Sequence, residues 1–222
     1  ITAMPPCTVV WECRGAMIAV ADYKAGNLTS VQRALEYLGH PCVITDRPSE
    51  VSQAERIVFP GVGAAGTAMA NLRDLGLDRA VCRAIGDGKP FLGICLGFQI
   101  LFDYSHEDDT HCLGVLPGEV VRFPADMRDA NGERPLKVPE MGWNHVVFKE
   151  DHPVWRHVPG GSEFYFVHSY YPEAGDDVAC AWTTYGISYT CGVARGSLVA
   201  FQFPPEKSGR PGLRLLDHFC RC

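Results

Sequence analysis

At 222 residues the chain suits one domain or two small ones, and 46% hydrophobic with 21% charged residues is an ordinary globular composition. A net charge of −6 argues against nucleic acid or an anionic membrane surface as the main partner, and no stretch approaches the roughly 18 uninterrupted apolar residues of a membrane span. The ten cysteines form no Cys-x-x-Cys pair and do not cluster with the histidines, which argues against a zinc site, and a chain this long needs no disulfide staples.

Most of the cysteines therefore read as reduced and buried, which implies a reducing compartment, the cytoplasm. Residues 1–16 look foreign to the rest of the chain and lack the basic start and apolar run of a signal peptide. They read as a mobile extension, with the ordered domain spanning 17–222.

Met17–Tyr23 is a short apolar run fit for a buried strand, ending at the Lys24-Ala25-Gly26-Asn27 turn. Leu28, Val31, Leu35 and Leu38 then fall at helical spacing, and Gly39 closes that helix. Cys42–Thr45 and Arg56–Phe59 are two further strands. Residues 66–88 read as helical with a break near Gly76, Phe91–Ile94 as a strand and Gly97–Tyr104 as a helix. Strands alternating with helices predict a parallel α/β sheet.

The second half is β-rich: Val120–Phe123, Trp143–Phe148, Glu163–Tyr171, Val178–Thr184 and Tyr189–Phe203, the last with a hairpin at Arg195-Gly196. A final helix covers 211–220. The expected fold is an α/β three-layer domain, mainly parallel with an antiparallel flank.

Two glycine-bearing turns carry the chemistry. Gly93-Ile94-Cys95-Leu96-Gly97 has the Gly-x-nucleophile-x-Gly form, in which the nucleophile sits on a strained strand-to-helix turn and its neighbours must lack bulk. A helix starting at the sulfur would favour thiolate, and the Leu96 N–H would face a developing oxyanion. Phe59-Pro60-Gly61-Val62-Gly63 is a second loop whose N–H groups could receive a negative oxygen, though taken alone it fits tight packing equally well. It lacks the lysine and serine of a phosphate-binding loop. Both loops would lie at the carboxyl edge of one parallel sheet, where ligands bind in open α/β folds.

These segments, with Asp22–Leu35, Val138-Pro139-Glu140-Met141-Gly142-Trp143-Asn144, Tyr165-Phe166-Val167-His168-Ser169-Tyr170 and Gln202–Ser208, resemble class I glutamine amidotransferases. Among these they are most similar to the glutaminase subunits of imidazole glycerol phosphate synthase. The resemblance implies hydrolysis of glutamine to glutamate and ammonia, with ammonia passed to a (β/α)8 cyclase partner and no cofactor or metal required. It implies that Cys95 attacks the side-chain amide, that Gly61, Val62, Gly63 and Leu96 surround the oxyanion, and that Gln99, Ser169 and Tyr170 hold the substrate. Asn27, Trp143, His168 and Lys207 would lie at or near the partner interface and ammonia exit; the other reading of Trp143 is a core aromatic.

One position departs from the pattern. The family pattern Gln-Phe-His-Pro-Glu-Lys-Ser stands here as Gln202-Phe203-Pro204-Pro205-Glu206-Lys207-Ser208, so Pro204 occupies the place of the triad histidine. Proline has no ionisable group and no N–H, and Glu206, whose implied role is to orient that imidazole, has nothing to orient. Three accounts compete: a degenerate or miscopied glutaminase, rescue by His168 as base, and a non-catalytic partner that shapes the cyclase. An amidotransferase of another pathway, such as anthranilate synthase, is the further alternative, against which the Met-Gly-Trp-Asn segment speaks. Elsewhere, the polar run His106, Glu107, Asp108, Asp109 and His111 reads as a solvated loop rather than a metal site, and His145 and His152 as structural.

Overall fold

A computed structural model describes residues 17–26, 28–129, 131–149 and 151–222; the extension expected over 1–16 lies outside them. In chain order the elements begin β1 (Ile18–Ala21), α1 (Leu28–Tyr37), β2 (Cys42–Thr45), α2 (Pro48–Gln53), β3 (Arg56–Gly61), α3 (Ala65–Leu75), α4 (Leu77–Gly86), β4 (Phe91–Cys95) and α5 (Leu96–Gln99). Short strands β5 (Tyr104–Ser105) and β6 (Thr110–His111) follow. Then come β7 (Gly118–Arg122), β8 (Glu140–His145), β9 (Val147–Phe148), β10 (Glu163–His168), β11 (Tyr170–Ala174), β12 (Ala179–Tyr185), β13 (Ile187–Arg195) and β14 (Leu198–Phe201). A 3-10 turn at Pro205–Lys207 leads into α6 (Gly209–Arg221).

The large sheet has the order β2-β1-β3-β4-β14-β13-β12-β9. Its first pairings, from β2 through to β14, are parallel, and the remainder are antiparallel. Side chains alternate across it: Ala19, Ile57, Phe59 and Phe91 meet α2, α3 and α4, whereas Ile18, Val20, Val58 and Leu92 meet α1 and α6. The result is a sheet between two helical layers, with its central strands apolar on both faces. A hairpin of β8 with β10, and a small sheet of order β11-β7-β5-β6, flank its carboxyl edge.

Differences from the predicted elements have local causes. The helix predicted over Gly97–Tyr104 is a single turn, because residues 113–116 fold back and donate N–H groups to the carbonyls of Ile100, Leu101 and Phe102. Glu163–Tyr171 divides at Ser169, since its halves pair with β8 and β7 in different sheets. Trp143–Phe148 likewise divides at Val146. Helix α2, not predicted, begins with Pro48 in its first turn and buries Val51. The hairpin at Arg195-Gly196 is present, with Gly196 at φ 60°.

β3 and β4 pair in register, with Gly61 opposite Cys95, and β14 pairs with β4 so that Phe201 lies beside Ile94. The two glycine-bearing turns and the residues after Phe201 therefore emerge together at one edge. Helix α5 presses on β3 so tightly that a Cβ at Gly97 would collide with the Phe59 carbonyl. Gly97→Ala should cost about 1–3 kcal/mol, the usual range for overpacking, and lower the thermal unfolding midpoint; an unchanged midpoint would disprove this contact.

Candidate active site

The candidate nucleophile sits at a backbone angle that only the surrounding packing sustains. Cys95 has φ 55° and ψ −114°, a sparsely populated region for a residue with a Cβ. On either side, a Cβ at Gly93 would lie 2.9 Å from that of Ala200, and Gly97 abuts Phe59. The turn thus matches the strained elbow expected from the sequence.

The thiol does not match the expectation of an activated sulfur. Burial pushes the Cys95 thiol up to about 11, only partly opposed by the Leu96 N–H that points at it. Glu206 and Glu107 push in the same direction as burial, and Lys207 against it. Helix α5 is a single turn, so its positive end is too weak to offset desolvation. The Gln202 side-chain amide lies 3.9 Å from the sulfur.

The second loop crosses close to this elbow. Gly61 has no room for a Cβ because the Tyr23 hydroxyl occupies that space. The Val62 N–H donates to the Ala25 carbonyl at 2.7 Å, so in this structure that amide is turned away from the sulfur. Of the expected oxyanion donors, the Leu96 N–H faces the sulfur and the Val62 N–H does not.

Cys95, Leu96, Gln99, Ser169 and Tyr170 line a cavity of about 400 Å³, with Val62 and Gly63 at its side. The nucleophile and the expected substrate-holding residues therefore meet in one place. Gln99 is buried, and its amide nitrogen donates to the Tyr170 carbonyl at 2.8 Å and to Gln202 Oε1 at 2.9 Å, leaving its own oxygen as the remaining acceptor. Glu107 also lines this cavity, which its sequence context does not foretell. It accepts the Ala65 N–H at 2.9 Å, and partial burial raises its carboxyl above the ordinary range. A lone acid inside the polar run 106–111 carries no signal that sets it apart.

His168 is largely buried, 7% exposed, and lines the same cavity as Cys95. Its Nδ1 donates to the Tyr170 carbonyl at 2.8 Å, and its Nε2 lies 3.0 Å from the Tyr189 hydroxyl and 3.4 Å from Glu140. Tyr189 donates to Glu140 at 2.7 Å. With both ring nitrogens engaged, His168 is placed as a support for the Ser169-Tyr170 segment rather than as a mobile base. Trp143 is 54% exposed, which rules out the core reading, and it stands with Met141, Val62 and Val167 in an apolar rim beside exposed Lys207. Asn27 lies outside the described residues.

A smaller cavity of about 30 Å³ adjoins Cys95, between Pro204, Glu206 and Lys207. The Pro204 carbonyl accepts from Ser208 Oγ at 2.8 Å, which holds the turn. Glu206 Oε2 is buried with no hydrogen-bond partner among the described residues. Burial pushes the Glu206 carboxyl up to about 7, against the pull of its own N–H and Lys207. A larger cavity, about 500 Å³, opens beside Arg56, Pro90 and Ser197, at the opposite edge of the sheet from Cys95.

The pattern of the glutamine amidotransferase class-I family matches residues 19–221. The chain is 50% identical over 206 residues to imidazole glycerol phosphate synthase subunit HisH of Nitratidesulfovibrio vulgaris strain Hildenborough, covering 92% of this chain and 96% of that protein. It is 48% identical to the protein of the same description from Nitrosospira multiformis, covering 92% and 97%. Among solved structures it is similar in fold to PurLQS of Thermotoga maritima (TM-score 0.69, 17% identity, 92% and 97% covered). It is also similar to a glutamine amidotransferase of the same organism (TM-score 0.63, 16% identity, 90% and 80% covered). An elbow cysteine facing a glycine loop at the carboxyl edge, and a family match over nearly the whole chain, lead to one conclusion: this protein belongs to the class I glutamine amidotransferases.

Proposed function

We propose that this chain is the glutaminase subunit of imidazole glycerol phosphate synthase, in histidine biosynthesis, working beside a (β/α)8 cyclase that consumes its ammonia. The observation that carries this reading is the shared description of the relatives near 50% identity, which cover over nine-tenths of both chains. The convergence of Cys95, Leu96, Gln99, Ser169 and Tyr170 on one cavity supports it.

In this reading the glutamine side chain enters with its carboxamide carbon at Cys95, and the Leu96 N–H receives the oxygen as it becomes anionic. Gly61, Val62 and Gly63 form the opposite wall. Val62 contributes its N–H only once that group is released from Ala25. Gln99, Ser169 and Tyr170 hold the substrate, and Glu107 offers its carboxylate to the α-ammonium group. The apolar rim of Val62, Met141, Trp143 and Val167, with Lys207, is the face offered to the cyclase. Domain 17–222 is the working unit.

Pro204 makes this a slow glutaminase. The thiol sits well above neutral pH with no imidazole to take its proton, and the departing amine has no imidazolium to protonate it. The same observation favours a second reading, a scaffold that supports the cyclase while free ammonium is used. The geometry around His168, whose ring nitrogens are both engaged, supports assigning it no proton-transfer role.

Two measurements test these assignments. Pro204→His should raise glutamine-dependent ammonia release, assayed with the cyclase present, by at least ~10²-fold, the low end for a positioned general base. No gain would mean that position 204 is wrongly assigned, and ammonium-dependent cyclase activity stimulated by the unaltered chain without glutamine loss would favour the scaffold. In the Pro204→His background, Glu107→Gln should raise KM for glutamine about tenfold or more, the loss expected for a hydrogen bond to a charged group, with kcat little changed. An unaltered KM would remove Glu107 from substrate binding.

A further inference from the structure

The turn that lacks the triad histidine retains a carboxylate with an unusual environment. Glu206 Oε2 is buried and has no hydrogen-bond partner among the described residues. An unpaired buried carboxylate oxygen is costly, and its persistence asks for a use. Glu206 and Cys95 line the same small cavity, beneath Pro204. At about 30 Å³ that cavity exceeds the roughly 10–15 Å³ a single water requires, and it offers that water the sulfur and the carboxylate as polar partners.

We propose that Glu206 is itself the proton carrier of this site, exchanging protons with Cys95 through one water held beside Pro204. The proposal rests on the glutaminase reading for its substrate, but not for its chemistry at the sulfur. The thiol proton passes through the water to the Glu206 carboxylate as the sulfur bonds to the carboxamide carbon and the carbonyl electrons move to oxygen. The Glu206 carboxylic acid then protonates the nitrogen as the C–N bond breaks, so ammonia leaves and a thioester remains. A second water loses a proton to Glu206 as its oxygen attacks the thioester. The C–S bond breaks, glutamate departs, and Glu206 returns the proton to the sulfur. The sum is glutamine plus water giving glutamate plus ammonia.

The electrostatic surroundings suit the exchange. A carboxyl held near neutrality is divided between its two forms at working pH, which is where a proton carrier is most effective. Lys207 is the charged neighbour of Glu206; Glu107 and the Tyr23 hydroxyl bear on Cys95 from the elbow's other sides. The remaining lining of the cavity, Pro60, Gly61, Val62, Ile94, Val167 and Pro204, does not ionise. Among the described residues, the helices and strand packed against the 205–207 turn place no other titratable group in it.

The test compares the sign of one effect. Alkylation of Cys95 by iodoacetamide, followed by peptide mass analysis across pH in the complex with the cyclase, should show a step near pH 7 before the main rise towards the thiol's own value of about 11. Glu206→Gln should erase the step and slow alkylation at pH 8 by about tenfold or more, and should slow native glutamine turnover by ~10²-fold. A purely electrostatic Glu206 does the opposite: its charge pushes the Cys95 thiol up, so removing it speeds alkylation. A faster Gln variant, or a native chain without the step, overturns the proposal.

Glu206→Asp keeps the acid but withdraws it by a methylene, so it should keep the step and lose rate; an Asp variant as fast as the native chain also overturns it. Pro204→His separates the two readings. Absence of glutamine hydrolysis by the native chain and by that variant alike removes the glutaminase assignment and leaves the alkylation result standing. Its success beside a fast Glu206→Gln variant removes the proton carrier alone.

Discussion

The contact on which the site depends is between backbones: helix α5 lies against β3 with only a hydrogen at Gly97 to face the Phe59 carbonyl. That approach forces the chain to turn at Cys95, and the register of β3 with β4 sets Gly61 directly opposite. The strain at Cys95 persists because the parallel strands on both sides of β4 leave it no alternative path. Because β14 runs beside β4, the Gln202–Lys207 segment is delivered to the same edge without further steering. Neighbouring strands, each dictated by ordinary apolar packing, thus assemble a polar site at their common end.

Electrostatics at that edge are governed by desolvation. A helix that starts at a sulfur suggests a ready thiolate, yet one helical turn offers little field and burial dominates. The same burial raises Glu206 into the neutral range. In the presence of an imidazole the carboxylate would be paired and the sulfur served. Without one, both groups face each other across a small void in forms dictated by their surroundings.

Much of this was legible in the residues. The short apolar runs and helical spacings of residues 17–95 locate β1, α1, β2, β3, α3, α4 and β4 within a few positions, because burial on both faces of a parallel sheet leaves a strong apolar signature. The elbow was legible because glycine on both sides of a cysteine is a steric requirement. Partner choice was not: nothing in Glu163–Tyr171 marks Ser169 as the point where one strand leaves for another sheet. The early end of α5 was hidden as well, since its cause is a return of residues 113–116 from farther along the chain. Glu107 was obscured by acidic neighbours, and the direction of the Val62 N–H depends on Ala25, a contact between loops that spacing does not encode.

The Glu140–Tyr189–His168 chain of hydrogen bonds joins the β8–β10 hairpin to the main sheet beneath the cavity. Each member is buried, so deleting one leaves a neighbouring polar atom short of a hydrogen bond, at roughly 1–3 kcal/mol per orphaned group. Against a typical reserve of about 5–15 kcal/mol for a domain, that toll is considerable. Divergence at these positions is therefore locked: a lineage must exchange the trio together or tolerate a weakened ancestor along the way.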